Sequence, residues 1–162
     1  MTTLPPADVL AELLGARQSP RPEQARVVLA EIWPKLHAPL RHHGSAALVA
    51  LFRRAGYLTD YAPIPDTDLV IYRGERANLG SPGIAWSADQ AVAIDYARRY
   101  STVGQTRVLQ ATAPPSAVLA RFADEDEVVV QPDLLVNVVS IGSFPHFTVP
   151  NLAPGLRFRA FS

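Results

Sequence analysis

The sequence predicts an α+β fold from three observations. Helical periodicity fills residues 1–60, short β-branched runs take over from residue 66, and prolines and glycines punctuate both regimes. With 162 residues and 48% hydrophobic side chains, the chain fits one domain with a sizeable core. We therefore expect a single domain, 1–162, in which a helical part (1–60) packs on a strand-rich part (66–162).

The elements follow in order. Pro5 and Pro6 precede a helix with Val9, Leu10, Leu13 and Leu14 on one face, ending near Gly15. After Ser19-Pro20-Arg21-Pro22, a second helix carries Val27, Val28, Ile32 and Trp33 as its apolar stripe, and Pro34 stops or kinks it. Gly44-Ser45 opens a third helix with Leu48, Leu51, Phe52 and Ala55 inward. Arg53 and Arg54 suit its C-terminal dipole, and Gly56 is its expected cap. Beyond the loop Tyr61–Asp66, the run Leu69–Tyr72 reads as a strand and Gly80, Pro82 and Gly83 as a turn-rich loop. Ala88 to Tyr100 reads as a helix with Val92, Tyr96 and Tyr100 on one face. Arg107–Thr112, Val128–Val130 and Leu135–Ile141 read as strands, and the loose alternation from Leu156 to Phe161 suggests another.

Composition narrows the function classes. No run of eighteen apolar residues is present, so no membrane span is expected. The first ten residues lack a basic segment followed by an apolar one, which argues against a secretory signal and makes the cytoplasm the default. A net charge of zero gives no concentrated positive field, so nucleic-acid binding is not indicated. With no cysteine, disulfides and thiolate zinc sites are excluded. Lys35 is the only lysine beside fourteen arginines, a usage that fits GC-rich coding. His37, His42 and His43 lack the i, i+4 spacing of a helical ligand pair, and Pro39 interrupts them, so no metal is expected.

Three short motifs carry chemistry. Tyr72-Arg73-Gly74 closes an apolar strand, and an arginine there presents a planar fork suited to phosphate or carboxylate. Gly83-Ile84-Ala85-Trp86-Ser87-Ala88-Asp89 runs into the helix that holds Tyr96-Ala97. Glu125-Asp126-Glu127 leads into Val128-Val129-Val130. If Glu125 and Glu127 lie on one strand edge, they share a face about 7 Å apart. Paired carboxylates suit cleavage of a glycosidic bond, where negative charge stabilises an oxocarbenium-like transition state.

In their order and spacing, these motifs resemble the arginine–serine–glutamate class of ADP-ribosyltransferases, a group that includes many bacterial and phage toxins. The resemblance covers roughly residues 66–142. It implies a split, strand-rich NAD-binding core, NAD as substrate, no metal, and transfer of one ADP-ribose to an arginine side chain of a protein. By the resemblance, Arg73 holds the NAD phosphates and the Gly74 backbone holds the nicotinamide amide. Ser87 orients the catalytic glutamate. Glu127 binds the nicotinamide ribose and stabilises the oxocarbenium ion, while Glu125 activates the acceptor. Phe122 resembles an acceptor-reading aromatic, Tyr96 would pack near the nicotinamide, and Trp86 would be a further NAD-binding residue. The sequence departs from the class at Ala88, where a second hydroxyl is usual.

Each feature also has a plainer reading. Ser87 to Gln90 matches a capping box at a helix start. The acidic run 124–127 would keep a sticky valine strand from aggregating. Trp86 and Tyr96, taken alone, read as core. Two other functions therefore stand beside the transferase: an NAD glycohydrolase using the same site, and a non-catalytic interaction module.

Overall fold

The computed structural model describes residues 6–16, 18–36, 45–80 and 82–148. These form an α+β structure, with four α-helices and one mixed sheet of seven strands among the described residues. The helices are α1 (Pro6–Gly15), α2 (Pro22–Ile32), α3 (Ser45–Ala55) and α4 (Gln90–Tyr100). The strands are β1 (Leu58–Thr59), β2 (Leu69–Arg76), β3 (Ala85–Ser87), β4 (Thr106–Ala113), β5 (Val118–Phe122), β6 (Glu127–Val130) and β7 (Val136–Phe144). Their order across the sheet is β1-β5-β6-β3-β2-β4-β7.

The sheet consists of two well-paired halves joined by a weak seam. Eight register pairs join β2 to β4, whereas β2 meets β3 at the single pair Tyr72↔Ser87. On one side of the seam, α1, α2 and α3 bury Leu10, Leu29, Leu48, Leu51 and Phe52 against Leu119, Ala120, Phe122 and Val129 of the sheet. Across the seam, Ile71, Leu109 and Ala111 of β2 and β4 meet Trp86, Val128 and Val130 in a second apolar cluster. Fully burying one such side chain is worth about 1.5–3 kcal/mol, so this packing bridges the halves where hydrogen bonds are few.

The third helix follows its apolar spacing. Leu48, Leu51, Phe52 and Ala55 are all buried, and Gly56 caps the helix at φ 75°, donating its N–H to the Arg53 carbonyl. The stripe of α2 is rotated from expectation. Ala25, Leu29 and Trp33, spaced by four, are buried, while Val27 is exposed. That spacing keeps one face inward at 3.6 residues per turn, and Val27 falls off it. Helix α4 turns Ala93 and Ala97 to the sheet instead of Tyr96 and Tyr100, whose rings stack on each other at 4.3 Å. Only small residues fit there. A Cβ built on Gly74 of β2 would stand 2.3 Å from the Ala93 carbonyl oxygen and 2.8 Å from the Ala97 nitrogen.

Several boundaries differ from the sequence expectation. Arg73 lies in the middle of β2, not at its end, because pairing with β4 continues to Arg76. Helix α4 starts at Gln90 rather than Ala88, and its cap is Asp89, whose carboxylate accepts the Ala91 N–H at 2.8 Å. Ser87 therefore does not cap it. Strands β1, β3 and β5 were not expected. The histidines 37, 42 and 43 and the segment from Leu156 to Phe161 lie outside the described residues. No helix among the described residues is long and apolar enough to cross a membrane.

Candidate active site

The three motifs meet at the seam. Register places Tyr72 of β2 across from Ser87 of β3, and Ser87 across from Glu127 of β6. Around this row lies a cleft of about 140 Å³, lined among others by Arg73, Gly74, Trp86, Tyr96, Glu125 and Glu127. Leu36, just beyond α2, also reaches it. A larger hollow of about 680 Å³ between α3 and the Pro132 turn is not lined by Arg73, Ser87, Glu125 or Glu127.

Arg73 is held before any ligand arrives. Its Nε donates to Glu75 at 3.1 Å and its Nη1 to the Ala85 carbonyl. Glu75 is buried and also accepts a closer pair of bonds from Arg107, its cross-strand neighbour on β4, at 2.6 and 3.1 Å. One carboxylate between two guanidiniums leaves a net positive charge beside the cleft. Gly83 completes the fit, since a Cβ there would stand 2.5 Å from Arg73 Nη2. Sequence reading missed Glu75, although its i, i+2 spacing from Arg73 on a strand was a usable signal.

Glu127 opens β6 with its carboxylate largely withdrawn from water. Burial raises its pKa from an ordinary 4.5 to about 7. The nearby Glu125 and Asp124 charges push the same way, against a hydrogen bond from Trp33. The Trp33 indole N–H lies 3.1 and 3.2 Å from the two carboxylate oxygens. The sign of the linked stability follows. Between about pH 4.5 and 7 the folded chain keeps a proton that the unfolded chain has lost, so raising the pH favours unfolding. Urea midpoints are expected to fall from pH 5 to pH 8, with a contribution of up to about 3 kcal/mol from this group. Glu127→Gln is expected to flatten the fall; an equally steep fall in the variant would assign it elsewhere.

Glu125 is not on a strand. Asp124–Asp126 form a tight 3-10 turn, with Glu125 at φ 56° and Asp126 at φ 46°. Period-two spacing from Glu127 therefore does not apply, but both glutamates line the cleft, Glu125 from its exposed mouth. The turn is clasped from outside. Asp60 accepts the Ala123 N–H at 2.8 Å, Tyr61 donates to Asp126, and Arg121 donates to the Tyr61 hydroxyl at 2.8 Å.

The Ser87 hydroxyl donates to the Glu125 carbonyl at 2.7 Å and accepts the Asp89 N–H at 2.9 Å. Its contact is with the backbone of the turn, not with the Glu127 carboxylate. Trp86 is buried and donates to the Gly83 carbonyl at 2.9 Å. Phe122 is a correction. It ends β5, 3% exposed under the N-terminal helices, and has no surface with which to read an acceptor. The exposed aromatic beside the turn is Tyr61, 45% exposed, supplied by a distant segment. Among the described residues, no group of three or more histidines and acids could hold a metal ion. Comparisons with family models, curated proteins and solved structures found no match.

Proposed function

We propose that the chain is a mono-ADP-ribosyltransferase that moves ADP-ribose from NAD to an arginine side chain of a protein. The parted sheet, on this reading, is the split core of that class. One observation carries it: Arg73, Ser87, Glu125 and Glu127, which resemble the class motifs in order and spacing, line one cleft at the seam. The cleft is below the roughly 300–1,000 Å³ usual for ligand pockets. Its size suits a single ring, with the nicotinamide end entering and the adenylate half lying along the mouth.

The chemistry follows from the charges. Arg73, fixed by Glu75, meets the pyrophosphate as a bidentate donor. The bond between ribose and nicotinamide breaks and its electron pair leaves with nicotinamide. Ionised Glu127 stabilises the oxocarbenium ion from within a poorly solvated site, where a charge acts more strongly than in water. An acceptor guanidine nitrogen then attacks the anomeric carbon, and Glu125 at the mouth takes its proton.

The test is transfer of adenylate-labelled ADP-ribose to agmatine or an arginine-containing protein. Glu125→Gln is expected to lose transfer by at least about 100-fold while keeping nicotinamide release within a few-fold. Equal loss of both would leave the acceptor-activating role of Glu125 unsupported, and nicotinamide release without label transfer by the parent would favour a glycohydrolase, with water as the acceptor. No label transfer and no nicotinamide release by the parent protein would leave an interaction module.

A further inference from the structure

The N-terminal helices lie outside the resemblance, yet one of their side chains reaches the acid at the centre of the cleft. We propose that Trp33 is the positioning residue of Glu127, aiming its carboxylate into the cleft in the role expected of Ser87. The inference rests on the proposed NAD chemistry but concerns residues 94 positions apart in the chain.

Three observations carry it. The Ser87 hydroxyl has one hydrogen, and it is given to the Glu125 carbonyl. A hydroxyl so committed cannot also donate to Glu127. The Trp33 indole is a donor only, and its N–H sits nearly equidistant from both Glu127 oxygens, 3.1 and 3.2 Å. The ring itself is fixed. Trp33 is 5% exposed, stands edge-on to Phe52 with centroids 5.0 Å apart, and is followed by Pro34, where α2 gives way to a tight 3-10 turn. A rigid donor buried in a helical layer holds direction better than a rotating hydroxyl.

The surroundings explain why Glu127 needs such a partner. Glu125 and Asp124 face it from the turn and oppose its charge. Arg73 and Tyr72 line the cleft from β2 and Tyr96 from α4, and the Arg73 charge is shared with Glu75. From the helical side the indole N–H favours the ionised form against burial.

Two measurements test the proposal. In the parent protein, one of the two tryptophan indole N–H resonances, assigned through Trp33→Phe, should move with pH about a midpoint near 7. Glu127→Gln should stop that movement. In folded Trp33→Phe, kcat for nicotinamide release at pH 7 should fall about tenfold or more, as for a lost hydrogen bond to a charged group. The acid limb of its pH profile should move to higher pH, with KM for NAD little changed. An indole resonance that ignores Glu127, or a folded Trp33→Phe variant with the parent's kcat and pH profile, would overturn the proposal. If Trp33→Phe does not fold, the parent titration decides, with the resonance assigned through Trp86→Phe. Should the parent never cleave NAD while the indole still follows Glu127, the transferase reading falls and the Trp33–Glu127 pairing is upheld.

Discussion

The Glu127→Gln variant is expected to release nicotinamide from NAD about 100- to 1,000-fold more slowly than the parent, the range for loss of one preorganised electrostatic contact to a transition state. Glutamine keeps the shape of the side chain and its ability to accept the Trp33 N–H, so the fold should persist. What it lacks is the negative charge that the proposed mechanism sets against an oxocarbenium ion. The parent's own rate should rise with pH, because a carboxyl with a pKa of about 7 is mostly protonated below that value. Initial rates from pH 5.5 to 8.5 check both points. A variant as fast as its parent, or a parent rate unaffected by pH, would remove Glu127 from the chemistry.

The second large effect is structural. Gly74→Ala is expected to cost about 1–3 kcal/mol or more by overpacking. Its Cβ would meet the Ala93 carbonyl oxygen at 2.3 Å and the Ala97 nitrogen at 2.8 Å, backbone atoms that cannot swing aside as a side-chain tip would. Relief would require lifting α4 off β2. That helix carries Tyr96 and Val92, which line the cleft, so NAD binding should weaken together with stability. Urea unfolding and NAD titration of the same preparation check this. A stable variant with weakened binding would assign the glycine a part in the proposed NAD site apart from its packing against the helix.

The legible parts of the fold were those where one side chain decides one outcome. Helix α3 follows from the spacing of Leu48, Leu51, Phe52 and Ala55, and Gly56 supplies the positive φ of its cap. β5 was hidden because Val118–Phe122 is short and includes Arg121, so its inward residues form no clean alternation. β3 has three residues and reads as loop until β6 pairs with it. The candidate site divides in the same way. Arg73, Ser87 and the glutamates could be named because each motif is local. The Trp33 contact could not, since a tryptophan on a helical stripe looks like core and is core, except for one polar atom. The partner of the Ser87 hydroxyl was equally hidden, because it is the backbone carbonyl of Glu125, which no side-chain pattern announces.

The turn at 124–126 has a consequence for how the sequence can drift. Glu125 and Asp126 both hold left-handed backbone angles, φ 56° and 46°, which cost an ordinary L-residue roughly 1 kcal/mol or more and glycine almost nothing. Glycine at 125 would therefore make a more stable molecule with an empty mouth to its cleft. Folding and carboxylate placement pull this position in opposite directions. Selection for thermostability alone, applied to a library at residues 124–126, should enrich glycine or asparagine at 125 and discard the acid.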